Sequence, residues 1–284
     1  MLKIFKADNR WYAAAFIIIL LVSAKFYQPK DIGYVFSICV SSCILDFIIL
    51  CLINRKFSFP LSALVTGLII SGILAPGRFS YIAALAAILS KHILKISERH
   101  IFNPAGFGLF IANVFLGLPL IWTVYANPWL AVLFGLFLAY RVRKLSLVLS
   151  FTLSLFLLSL AYSLITRQGA WANTGLLNYF FIFFMLIEPK TSPVYLRSKI
   201  IYGIIVSVLV ILYFAFLPKY DFLVLSLLLG NLIHALLRRN TALNWRLNMV
   251  TVIAVLVVVL IIAAFLIKNK GGGCGCGSTP EKKA

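Results

Sequence analysis

Acid is what this chain has least of. Asp and Glu together supply 7 of 284 residues, against 26 Lys and Arg, and only 3 residues are His. Charged residues make up 12% of the chain, about half the usual share in a soluble domain. With 63% hydrophobic residues and a mean hydropathy of +1.05, the sequence cannot build the polar shell of a water-soluble fold. Familiar catalytic patterns are missing as well: there is no Ser/His/Asp arrangement, HExxH, P-loop or dinucleotide GxGxxG. Cys39, Cys43 and Cys51 share one apolar run, and Cys274 and Cys276 lie in the tail. None has the spacing of a zinc or cluster ligand, so no metal site is expected. No stretch alternates apolar and polar residues as barrel strands do, so helices are preferred over a barrel.

What the sequence does have is long apolar runs. A spanning helix needs roughly 20 mostly apolar residues, and such runs recur along the chain between short polar breaks. They predict an all-α, polytopic bundle. Spans are expected near residues 11–27, 34–53, 60–75, 79–94, 105–121, 129–140, 145–165, 176–187, 200–217 and 222–237, with an eleventh near 249–267. The first run follows Lys3, Lys6 and Arg10 and reads as a signal anchor. The tail, GGGCGCGSTPEKKA, is flexible by composition. Its CGC could bind a soft metal or form an intermolecular disulfide, or the tail is a plain disordered end.

The formal net charge of +19 would point to nucleic acid in a soluble protein. Here the basic residues sit between apolar runs, which is topogenic charge facing an anionic membrane surface, so no nucleic-acid partner is expected. With the N-terminus cytoplasmic, one set of loops carries Arg55, Lys56, Lys95, Arg99, Arg141, Arg143, Lys144, Lys190, Arg197, Lys199, Arg238, Arg239 and Arg246. The opposite loops carry only Lys25, Lys30, Arg78, Arg167 and Lys219 before the tail. The bias holds at every alternation, and a miscounted span in the middle would scramble it.

Four places could carry chemistry. Asp46 lies mid-run in CILDFIIL, where an ionisable group is costly and is either functional or paired with a cation such as Lys91 or His92. In SKHILKISERHIFNPAGFG, residues 90–108, Asn103 and Pro104 form a helix-start signal. Beside Arg99 and His100 such a start could receive phosphate or a flavin's pyrimidine edge, or it is an ordinary cap among topogenic charges. In FFMLIEPKTSPV, residues 183–194, Glu188 ends an apolar run, and Pro189 and Pro193 bracket Lys190, Thr191 and Ser192. That loop is rigid and non-helical, fit either to line a ligand site or to act as a stiff connector. Ser62, Thr66 and Gly67 share one helix face, for which tight packing is a sufficient explanation.

Taken in order, these segments resemble a known family. SALVTGLIISGILAP, SKHILKISERHIFNPAGFG, MLIEPKTSP and LLLGNLIHALL are similar to motifs of one family of membrane subunits, shared by the sodium-translocating NADH:quinone reductase and the Rnf electron-transport complex. The similarity runs from about Phe36 to Arg239, with Glu188 where the family has Asp. The resemblance implies a ten-helix bundle of two related halves, the first ending near Ile121, within a single transmembrane domain over residues 1–247. Residues 248–267 are then an added helix and 268–284 a tail.

The resemblance further implies a flavin-binding subunit of an ion-coupled electron-transport complex, a component of a membrane oxidoreductase. It would sit in the cell's inner, cytoplasmic membrane with other membrane subunits as partners. Arg99, His100 and Asn103 would hold a phosphate or the isoalloxazine edge, with Pro104, Ser62 and Thr66 beside them, and Glu188, Thr191 and Ser192 would complete the pocket. The family's Ser-Gly-Ala-Thr segment, whose threonine carries FMN, is absent here. The flavin, FMN or riboflavin, is therefore expected to be non-covalent. The alternative is a transporter of a small solute that uses the same fold without redox activity, with Asp46 and the two motif loops at its centre.

The charge bias makes a topological prediction. Single cysteines introduced at Ser198 and Asn173 in a cysteine-free background should react with impermeant thiol reagents from opposite faces of the membrane. Labelling of both from the outside would contradict the topology.

Overall fold

The computed structural model describes residues 8–24, 31–54, 59–96, 99–167, 176–216 and 220–239. The expected eleventh span, the tail and its two cysteines lie outside the described residues, as do Lys25, Lys30, Arg55, Lys56, Asn173, Lys219 and Arg246. The described residues are mostly helical: α1 Asn9–Ala24, α2 Ile32–Asn54, α3 Leu61–Ile73, α4 Ser80–Ile93, α5 Pro104–Phe110, α6 Pro128–Arg141, α7 Leu145–Ile165, α8 Leu196–Phe216 and α9 Phe222–Arg239. Between α4 and α5 a minimal hairpin pairs β1 Lys95–Ile96 with β2 Arg99–His100, Lys95 facing His100.

Three of these helices, Ile32–Leu52, Leu145–Ile165 and Leu196–Phe216, are long and apolar enough to cross a membrane. Their outward faces fit a hydrocarbon solvent. On α2, Phe36, Val40, Ile44, Ile48 and Leu52 recur every four residues, and all are exposed. On α7, Leu149, Leu153 and Leu157 do the same. Residues four apart share one helix face, and continuous apolar faces of this kind mark contact with lipid or protein rather than water.

Two expected spans are interrupted. The helix beginning at Pro104 continues as a π-helical turn over Ile111–Phe115 and then stops. Gly117 turns the chain with φ +65°, and Pro119 could not continue a helix. The chain returns beside the end of α3, where Ile121 and Trp122 N–H donate to the Ile73 carbonyl and Ala75 N–H to that of Pro119. The span expected at 176–187 is helical only around the π turn Phe181–Met185, which Asn178 caps by accepting from Phe181 N–H at 3.0 Å. This short segment is buried from Phe180 to Ile187.

The packing follows one plan twice. The pairings α1 on α3, α2 on α3, α2 on α4 and α4 on α5 recur as α6 on the π segment, α7 on the π segment, α7 on α8 and α8 on α9. Glycines set the closest approaches. A Cβ on Gly108 of α5 would run into the Ala83 carbonyl oxygen and the Ala87 side chain of α4. Backbone cannot retreat as a flexible side chain can, so Gly108→Ala should cost about 1–3 kcal/mol as overpacking. Thermal unfolding in detergent should show a clear fall in midpoint for Gly108→Ala and none for Gly77→Ala, where the nearest atom to the added methyl is Ser80 Oγ at 4.0 Å. Equal midpoints would mean that α4 and α5 are not held this closely.

Candidate functional site

The three sequence motifs meet at one end of the helices, around a cavity of about 340 Å³. The start of α1 brings Asp8 and Arg10, α3 brings Ser62 and Thr66, and the last turn of α4 brings Lys91. The start of α5 contributes His100, Asn103 and Pro104, and the loop after the π segment contributes Glu188, Pro189 and Lys190. Apolar walls come from Ala13, Val65, Ile69, Leu138 and Phe184.

The anchor is a buried charge cluster. Asp46 on α2 is 1% exposed, and both carboxylate oxygens are taken. Lys91 Nζ donates to Oδ2 at 2.6 Å, and His92 Nε2 lies 2.6 Å from Oδ1. Lys91 Nζ also donates to Ser62 Oγ at 2.6 Å while lining the cavity. Removing one member of such a pair costs about 3–5 kcal/mol, because the other charge is left without a partner. Both expected cations for Asp46 are thus in contact with it, and Asp46 itself lies behind Lys91 rather than on the cavity wall.

Asn103 is the N-cap of α5, its Oδ1 accepting from Gly106 N–H at 3.0 Å. Its Nδ2 donates to the Met185 carbonyl at 3.1 Å, which ties the NPA motif to the π segment that precedes the Glu188 loop. Pro104 has no N–H, Gly106 serves the Asn103 side chain, and Phe107 N–H donates to the Asn103 carbonyl. Apart from the Ala105 N–H, the first turn of α5 is therefore engaged internally, and the cavity's cations are Lys91, paired with Asp46, Arg10, paired with Asp8, and Lys190.

His100 is 6% exposed, and its Nδ1 has no hydrogen-bond partner. Burial, and then the nearby Lys190, Lys91 and Lys95, push its pKa down to about 4, so the ring is neutral at physiological pH. A neutral ring bonded to the Lys91 backbone leaves Nδ1 as a buried acceptor without a partner, on a residue of the cavity wall. Glu188 carries the opposite perturbation. Burial pushes its carboxyl up to about 7, although the Thr191 hydroxyl and the Lys190 and Lys91 charges oppose this.

Arg99, Thr191 and Ser192 are placed elsewhere. Arg99 is half-buried in β2 and is not on the cavity wall. Thr191 and Ser192 are buried and turned back on the loop, with Ser192 Oγ donating to the Glu188 carbonyl at 2.7 Å and Thr191 Oγ1 to Glu188 Oε2 at 3.3 Å. Thr66 Oγ1 donates to the Ser62 carbonyl at 2.9 Å, so its hydroxyl serves the helix. Beneath the loop lies Lys144, a buried residue that the charge bias marks only as topogenic. Its Nζ donates to the Ser192 carbonyl at 3.2 Å and to that of Pro193, and burial beside Lys199 and Arg99 pushes its pKa down to about 8. Nothing local distinguishes Lys144 from the neighbouring Arg143. Lys190, by contrast, is marked out by the two prolines that bracket it.

No protein-family model matches this sequence, and no curated protein is similar to it. The geometry of the cavity therefore carries the functional argument.

Glu188 sets a pH dependence. Its folded pKa lies above the ordinary carboxylate value of 4.5, so the folded protein holds a proton that the unfolded chain releases. That contribution is fully present below about 4.5 and is lost as pH rises through about 7. The thermal midpoint should fall between pH 5 and pH 8, and Glu188→Gln should flatten this part of the profile. A variant profile parallel to the parent's would show that Glu188 titrates normally.

Proposed function

We propose that this chain is a membrane subunit that binds a flavin non-covalently in this cavity and serves an electron-transport complex. One observation carries the reading: three segments far apart in sequence, around Ser62, His100 and Glu188, line one cavity, and His100 there has a buried ring nitrogen without a partner. Ligand sites occupy about 300–1,000 Å³, with apolar walls and a few convergent polar groups, and this cavity, at about 340 Å³, belongs to that class. His100 Nδ1 would accept from the imide N–H of the pyrimidine edge. Lys91, Lys190 and Arg10 would attract its carbonyls or a phosphate, and Phe184, Ile69 and Leu138 would face the apolar ring.

When bound, the flavin supplies the redox chemistry, and the protein supplies position and potential. The basic loops belong at the cytoplasmic face of an inner membrane, with the chain crossing it ten or eleven times beside partner subunits. A second reading, a transporter of a small solute in the same fold, draws on the Asp46–Lys91–His92 cluster directly behind the cavity, since buried charge of this kind also marks solute pathways.

Purified protein should show flavin absorption or take up added FMN, and the flavin should leave on denaturation, with no fluorescent band on a denaturing gel. His100→Phe should weaken FMN binding about tenfold, the scale of one hydrogen bond to a ligand. Arg78→Ala, in the loop before α4, should leave it unchanged. Parent protein that binds no flavin, yet moves a solute into vesicles, would replace this reading with the second.

A further inference from the structure

Lys91 belongs to two sites at once. It neutralises Asp46 inside the helix packing, and it forms part of the wall of a cavity whose other charged groups are Arg10, Lys190, Asp8 and Glu188, with Arg10 bonded to Asp8. The cavity therefore holds a cation whose charge is already matched. An anion entering it must share Lys91 with Asp46. The cluster would then hold two negative charges against one lysine, which a low-dielectric site does not tolerate uncompensated.

Two titratable groups could restore the balance, Glu188 on the cavity wall and His92, and of these His92 is the one bonded to Asp46, on its second carboxylate oxygen at 2.6 Å. Among the described residues, the other titratable groups acting on this cluster are the cations Lys95, Lys190 and Arg10, Cys43 of α2, and Glu188 and His100 of the cavity. With Lys91 matching Asp46 and these cations nearby, the ring has no unmatched carboxylate beside it until an anion binds. Once an anion draws on Lys91, the same ring lies beside an under-compensated carboxylate.

We propose that anion binding in the cavity is coupled to uptake of a proton by His92, so that Asp46, Lys91 and His92 form a proton-binding site that reads the charge of the bound ligand. The proton comes from bulk water and settles on the free ring nitrogen, Nδ1. The Nε2–H stays on Asp46 Oδ1, Asp46 exchanges a shared lysine for an imidazolium, and no bond between heavy atoms is made or broken. This rests on the proposed ligand only in needing an anion, so the coupling applies to a flavin phosphate and to inorganic phosphate alike.

The test measures proton uptake when FMN, and separately inorganic phosphate, is added to the full chain in weakly buffered detergent, alongside calorimetric affinity across pH. We expect about one proton taken up per bound anion near neutral pH, and affinity that falls up to tenfold per pH unit as pH rises. His92→Gln keeps a donor for Asp46 but cannot charge. It should bind anions more weakly and abolish uptake. His234→Gln, on α9 and off the cavity wall, should leave binding and uptake unchanged, whereas Glu188→Gln, which removes the rival carboxyl and can alter affinity, should still show uptake when counted per anion bound. A folding defect in His92→Gln is covered by histidine-selective nitrogen NMR on the parent, in which the His92 signals should move to the imidazolium position on adding phosphate.

Uptake that persists in His92→Gln, or that disappears in Glu188→Gln, overturns the proposal, as does FMN binding without uptake, which leaves the flavin reading intact. Phosphate binding with uptake but no FMN binding supports the coupling and removes the flavin reading. Failure of both anions to bind overturns both.

Discussion

A lysine ammonium placed among packed helices must be matched, and the matching of Lys91 organises the end of the fold that surrounds it. Its partner Asp46 comes from α2 and Ser62 from α3, so one side chain fixes three helices relative to one another. The same requirement keeps Asp46 tolerable in a run that is otherwise hydrocarbon. Because the ammonium also reaches the cavity wall, the charge that stabilises the packing also sets the potential a ligand meets.

The apolar surroundings impose the second constraint. Continuous leucine, isoleucine and phenylalanine faces on α2 and α7 leave the polar groups only the interior or the helix ends. At the cavity end, short helices make room. The π segment stops at Met185, and its free carbonyl is taken by Asn103. Lys144 clamps the following loop through the Ser192 and Pro193 carbonyls. At the opposite end, Trp122 Nε1 donates to Asp221 Oδ2 at 2.7 Å, and Asp221 Oδ1 accepts from Val224 N–H in the first turn of α9. One end is tied by the Asp221 bonds, and the other carries the polar cavity.

Much of this is legible in the amino acids. Apolar runs place the helices because length and hydropathy act locally, and the observed α7 coincides with its expected range. Asn103 and Pro104 announce a helix start by local chemistry. Lys91 and His92 are natural partners for Asp46 because an intramembrane carboxylate needs one. Direction is what residue types do not encode. Thr191 and Ser192 look like ligand groups, yet their hydroxyls turn inward to the Glu188 carbonyl and carboxylate, a choice made by loop geometry. Lys144 and Arg143 are alike in sequence, and only the fold buries one. The returning segment at 118–122 is hidden because Leu118, Leu120 and Ile121 are as apolar as a helix, with Gly117 and Pro119 the signs that the helix has ended.

The central claim is that the three motifs form one flavin-binding cavity, and photoaffinity labelling with an azido-flavin tests it most directly. Irradiation of the purified protein followed by peptide mapping should place the label within residues 62–69, 100–105 and 184–190, and excess FMN should suppress it at all three together. Label confined to other segments, or suppressed at one of these segments but not the others, would contradict a single shared site.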